Sequence, residues 1–173
     1  MDKAIEDVSL RGRIAFAIMC AERYALSKKP EGEWGAVFSE LWRIADDVYW
    51  DDWSSRVIDL LPEYIYGLDH YVSDEFEWLG ENEFNALKEL YSGLGDDWTR
   101  LLQDIVDMEE TYAYTSISGV GQESIRLLEN ILEILTANGV EPPSLNQVKF
   151  SLFSERNGRG EPFDKTRLSI VLS

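Results

Sequence analysis

A chain of 173 residues and 19.9 kDa is the size of one ordinary domain and buries roughly two-thirds of the surface that its unfolded form exposes. Hydrophobic residues at 45% and aromatics at 12% exclude a disordered chain, which would lack large side chains. Sixteen Lys and Arg against 33 Asp and Glu give a net charge of −17, a field that repels nucleic acid and anionic lipid.

The ends and the cysteine narrow the setting. Asp2, Lys3, Glu6 and Asp7 precede any apolar stretch, and the uncharged run from Ile14 to Ala21 is far shorter than the roughly 20 residues of a membrane helix. Neither export nor a membrane span is expected. Cys20 is the only cysteine, which removes internal disulfides and Cys-based zinc sites and fits a reducing, cytoplasmic compartment. Its place within Ala15-Phe16-Ala17-Ile18-Met19 predicts core packing, where burial raises the thiol pKa and blocks access.

Ile14, Ile18, Ala21 and Ala25 share one stripe of a first helix that ends near Lys28-Lys29-Pro30. Trp34, Phe38, Leu41, Ala45 and Val48 predict a second, with Trp42 and Tyr49 widening its apolar face. Ser54 or Ser55 can cap a third, which Pro62 ends or kinks. The aromatic-rich stretch 64–79 is expected to be helical in pieces. Asn82 can cap a helix carrying Phe84, Leu87, Leu90 and Tyr91, broken by Gly93-Leu94-Gly95. Asp96 or Asp97 can cap the next, in which Trp98, Leu101, Ile105, Met108 and Tyr112 keep spacings of three and four. Between Gln122 and Asn138 two apolar stripes run side by side, which predicts a helix covered on more than one side and therefore central. Gly139 is its expected left-handed end. From Ser144 onward a turn-rich arm follows, its residues 168–172 readable as a strand or an extended tail. With no repeat or long linker, the expected architecture is mainly α: one domain over 1–173, a bundle of six or seven helices with a short irregular or β-like C-terminal arm over 144–173.

The acidity is concentrated. Residues 1–30 carry 6 basic and 4 acidic side chains, residues 31–143 carry 5 and 26, and residues 144–173 carry 5 and 3, so the excess is central. Asp46, Asp47, Asp51 and Asp52 crowd among Tyr49, Trp50 and Trp53, and eight acids with no Lys or Arg lie between Arg56 and Lys88. Like charges about 4 Å apart repel by about 1 kcal/mol even in water, which opposes folding. Solvated acidic faces are common, but aromatics interleaved with carboxylates have the pattern of a protein interface with a cationic partner. Trp34, Trp42 and Trp50 lie eight apart, a spacing that keeps them near one buried face, whereas Trp53 and Trp78 are expected at the surface.

No motif carries catalysis. The aspartates at 46–52 lack the loop and closing glutamate of a calcium site. His70, the single histidine, has Gly67 where a di-iron Glu-x-x-His motif needs glutamate. Gly119-Val120-Gly121 has Ser124 in place of a third glycine and no phosphate-binding lysine behind it. No triad or paired acid and base can be assembled. A non-enzyme without metal or cofactor is expected.

Cys20-Ala21-Glu22-Arg23-Tyr24, Leu61-Pro62, Ser124-Ile125-Arg126-Leu127-Leu128 and the segment Phe153-Ser154-Glu155-Arg156-Asn157-Gly158-Arg159-Gly160-Glu161-Pro162-Phe163 together resemble a family of mainly helical immunity proteins from bacterial polymorphic-toxin and contact-dependent inhibition systems. The N-terminal two-thirds also resembles an uncharacterised family of small helical bacterial proteins. The first resemblance implies a cytoplasmic protein that binds and neutralises a toxin domain, and it transfers no contact residues. Charge supplies the candidates: Asp46, Asp47, Asp51 and Asp52 to pair with a basic toxin, a nuclease being the natural class, Trp53 to anchor, and Asp74, Glu75, Glu77, Trp78 and Glu81 to extend the surface. A dimerising scaffold or regulatory module and an enzyme with an acidic metal site are the alternatives.

Overall fold

The computed structural model describes residues 3–46 and 50–173. Asp47, a candidate contact residue, and Val48 and Tyr49, expected near the end of the second helix, lie outside the described residues. The described chain is mainly helical: α1 (Leu10–Lys28), α2 (Gly35–Leu41), α3 (Arg43–Asp46), α4 (Trp50–Ile58), α5 (Pro62–Gly67), α6 (Glu81–Tyr91), α7 (Gly95–Glu110) and α8 (Gln122–Ala137). No helix among the described residues is long and apolar enough to cross a membrane.

The centre of the bundle is α1. Ser9 caps it by accepting from the Gly12 amide at 3.0 Å, and four alanines favour the helix and let neighbours approach closely. Fifteen of its nineteen residues are buried, and it contacts α2, α3, α7 and α8. The late helix α8 is covered on more than one side as expected, by α1 and α7, but α1 is the more completely buried of the two. In α8 both stripes are buried, Ile125, Leu128 and Leu135 in one and Leu127, Ile131 and Ile134 in the other, with Leu132 half-buried, while Arg126, Glu133 and Thr136 keep the remaining side exposed. The end of α8 is as expected: Gly139 has φ 65, its amide reaches Thr136 O at 3.1 Å, and the Val140 amide reaches Leu135 O at 2.9 Å. This pair of bonds satisfies the last carbonyls of the helix.

Several boundaries differ from the sequence reading. The second helix is divided into α2 and α3 at Trp42, whose indole is drawn inward to donate to Glu22 Oε1 at 2.8 Å. Helix α4 begins at Trp50 and not after the serines. Ser54 and Ser55 lie within it and donate back to the carbonyls of Asp51 and Asp52, the internal alternative to capping. Gly80, not Asn82, precedes α6, and α7 starts at Gly95 with Asp96 and Asp97 in its first turn, where carboxylates suit the positive helix end. Pro62 opens α5 at a position whose amide needs no partner.

The C-terminal segment is irregular and integral to the fold. Among its described residues there is one isolated antiparallel bridge, Leu152 with Val8, and 168–172 forms no strand. Its anchors are buried charges on α1. Glu22, fully buried, accepts from Trp42, from Ser169 Oγ at 2.5 Å and from the Ile170 amide at 2.9 Å. Arg11, also buried, donates to the carbonyls of Ile44 and Gly160. Buried charges persist only where such bonds replace water.

Candidate functional site

Helix α4 positions both groups of candidate carboxylates. Asp51 and Asp52 are exposed in its first turn. The loop carrying the second group meets its other end: Trp78 Nε1 donates to Ser55 Oγ at 3.2 Å, and Arg56 stacks on the Trp78 ring with its guanidinium carbon 3.8 Å from the centroid. Asp59, buried just beyond the helix, accepts from the amides of Trp78 at 2.6 Å and Leu79 at 3.0 Å. Tyr71 donates to Leu79 O at 2.9 Å and packs with Phe76 and Phe84. Lys88 closes the base by donating to Leu68 O at 2.7 Å and Asp69 O at 3.1 Å. The loop over residues 68–80 is thus held at several points while Asp74, Glu75, Glu77 and Trp78 remain exposed, followed by exposed Glu81 on α6.

Among the candidates, Trp53 requires a correction. It is 0% exposed and donates its indole N–H to Leu41 O at 2.9 Å, so it is a core residue and not a surface anchor. The reason is helical phase: Trp50, Trp53 and Val57 share the buried side of α4, which turns Asp51 and Asp52 outward. Trp78, by contrast, is 47% exposed. Asp46 is exposed but ion-paired with Lys165 at 2.6 Å, a contact between the acidic middle and the basic arm. Asp51 and Asp52 line a cleft of about 620 Å³ with Arg11, Trp50, Arg156 and Arg159, where the Arg11 and Arg159 guanidinium carbons lie 5.1 and 5.3 Å from the Trp50 ring centroid. These cations oppose the field of the two aspartates locally. The candidates therefore form two groups at opposite ends of α4, which at nine residues is about 13 Å long.

Sequence reasoning missed a groove of about 900 Å³ beside the second group. Ala36, Ser39 and Glu40 of α2 form one wall, Glu83, Ala86, Leu87 and Leu90 of α6 the other, and Leu60 and Leu79 the floor. The floor leucines retain 6% and 9% exposure, while Ala36 and Ala86 are exposed. The usable signal was the spacing of small residues on faces otherwise read as solvent. Ala36 and Ser39 lie at i and i+3, and Ala86 lies three residues after Glu83.

Two of the features weighed in the sequence are explained by packing. Gly119-Val120-Gly121 is a socket for a buried guanidinium: Arg13 Nη1 donates to Val120 O at 2.7 Å, Gly121 O at 3.1 Å and Ser124 Oγ at 2.9 Å. Gly121 has φ 67, and a Cβ there would lie 3.0 Å from that nitrogen, so the position needs glycine. Burial lowers the Arg13 pKa to about 10, with Tyr112 and Glu6 opposing. Cys20 is fully buried and its thiol pKa is raised by desolvation. His70 is exposed. Among the described residues no group of three or more His, Cys, Asp or Glu side chains is arranged to hold a metal ion.

The fold and this surface define a mainly α-helical bundle with an acidic, partly apolar face. Compared with family models, curated proteins and solved structures, the chain has no significant match in any of the three.

Proposed function

We propose that the protein is a non-enzymatic, cytoplasmic immunity protein that binds and neutralises a cognate, basic bacterial toxin domain. The observation that carries this reading is the anchored 68–80 loop with α6, which displays Asp74, Glu75, Glu77 and Glu81 around a half-exposed tryptophan. A surface already held in place loses little conformational entropy on docking, so more of its contact energy appears as affinity. Opposite potentials speed encounter, and a buried aromatic supplies the central contact. A nuclease is the toxin class that fits best, because its cleft must present Lys and Arg to attract phosphates. Occupying that cleft with carboxylates blocks substrate without chemistry.

The test is co-expression with, and stopped-flow association to, the toxin domain encoded beside this gene. Growth rescue is expected, with an association rate that falls about tenfold or more between low and high salt. Absence of a complex, or a rate indifferent to ionic strength, overturns the proposal.

A further inference from the structure

The groove between α2 and α6 has the size, lining and charge of a site for one segment of a partner. Its two ends follow from the contacts. At one, Lys29 Nζ donates to Glu89 O at 3.1 Å, tying the turn before α2 to the end of α6. At the other, Glu40 Oε2 lies 3.6 Å from Arg56 Nη1 beside Trp78 and Glu83. Helices α2 and α6 therefore run in opposite directions along the groove, and the stretch from Glu83 to Leu90 spans about 10 Å, or two helical turns. The lining is mostly apolar below, with small side chains at Ala36, Ser39 and Ala86 leaving room on both walls.

Charge selects the occupant. Glu31, Glu33, Glu40, Asp59, Glu83 and Glu89 line the groove against two cations, Lys29 and Arg56. Arg56 is already engaged, stacked on Trp78 and paired with Glu40. An anionic or neutral polar ligand gains nothing from such a rim, whereas a helix with an apolar stripe and flanking Lys or Arg satisfies both layers.

We infer that this groove binds two turns of a cationic amphipathic helix, seating aliphatic side chains over Leu60, Leu79 and Leu87 while lysines or arginines meet the glutamates of the rim. The inference rests on the inhibitor reading only for the source of that helix, a surface helix of the toxin. Arg56 and Trp78 form a fixed stop at one end, so the helix has a defined position along the groove.

The probe is a synthetic peptide of about 15 residues, the length at which isolated helices begin to form, with leucines at i, i+4, i+7 and i+11 and lysine and alanine elsewhere. A scrambled peptide of the same composition supplies the same charge without the stripe. Calorimetry at about 0.15 M salt, where long-range attraction is screened, is expected to show the patterned peptide binding at least about tenfold tighter, the value of one buried leucine. Ala86→Trp and, independently, Ala36→Trp fill the groove without altering charge, and each is expected to abolish the preference while circular dichroism stays unchanged. Equal binding of the two peptides, or a preference that survives both substitutions, overturns the inference. A toxin complex indifferent to both substitutions leaves the inhibitor reading standing and removes the groove from it. Peptide binding as expected with no toxin neutralisation does the reverse.

Discussion

Replacing Glu109 with glutamine is predicted to stabilise the protein at pH 8 and to change little at pH 4.5. Glu109 lies at the seam of α4 and α7, 1% exposed, with Ser54 of α4 beside its carboxylate but, among the described residues, no well-formed hydrogen bond to either oxygen. Burial lifts its pKa from 4.5 to about 7, with Asp51 and Glu110 adding in the same direction and Ser54 and Arg159 opposing. A folded-state value above the unfolded one means that the folded protein holds the proton more tightly. The resulting stability is fully present below about pH 4.5 and is lost as pH rises through 7. At about 1.4 kcal/mol per pH unit the difference is about 3 kcal/mol, which solvent screening from the neighbouring cleft reduces to about 2 kcal/mol.

Glutamine keeps the shape and cannot ionise, so the variant avoids that loss. Urea unfolding at pH 4.5, 6 and 8 is expected to give coincident curves at the lowest pH. At pH 8 the variant should be more stable by about 2 kcal/mol, or about 4–8 °C in Tm for a chain of this length. Some pH dependence persists in the variant because burial, with Asp107, raises Asp104 to about 6, which acts with the same sign in a lower window. Equal stability at pH 8, or the same gap at pH 4.5 and pH 8, would refute the assignment to ionisation.

Arg13→Met is predicted to cost about 3–5 kcal/mol in urea unfolding, since it strips donors from the carbonyls of Ile5, Glu6, Val120 and Gly121. Arg13→Lys should recover only a minor part, because one ammonium cannot span that set of acceptors. Trp53→Ala should cost about 3–5 kcal/mol by leaving a core cavity, whereas Trp78→Ala should cost under about 1 kcal/mol yet weaken toxin association. A reversed order in stability would contradict their placement. Gly139→Ala is predicted to cost about 1 kcal/mol, because its φ of 65 disfavours any Cβ, and amide exchange at the end of α8 should rise with it.

The two stripes placed by sequence show where pattern is informative. Ile14, Ile18, Ala21 and Ala25 are all buried, and so are Trp98, Leu101, Ile105 and Met108, because helical period alone sets which side chains share a face. The site was less legible. Asp74, Glu75, Glu77 and Trp78 are exposed as the local composition suggests, but Trp53, immediately after the two exposed aspartates Asp51 and Asp52, is in the core. Composition could not separate them, since adjacent positions on a helix point about 100° apart and only packing says which direction is inward.

By itself the sequence determined the mainly helical class, most helix-bearing segments, the left-handed stop at Gly139 and the central concentration of carboxylates. These follow from local period, backbone preference and charge, which need no distant partner. Only the tertiary structure decided that α1 is the core helix, that Glu22 and Arg13 are buried anchors, and that Ala36 and Ala86 face each other across a groove. Each of those depends on residues tens of positions apart meeting in space: Glu22 on Ser169, Arg13 on Val120, and α2 on α6. A charged residue in a linear pattern reads as solvent-facing until the fold supplies the carbonyls and hydroxyls that replace water.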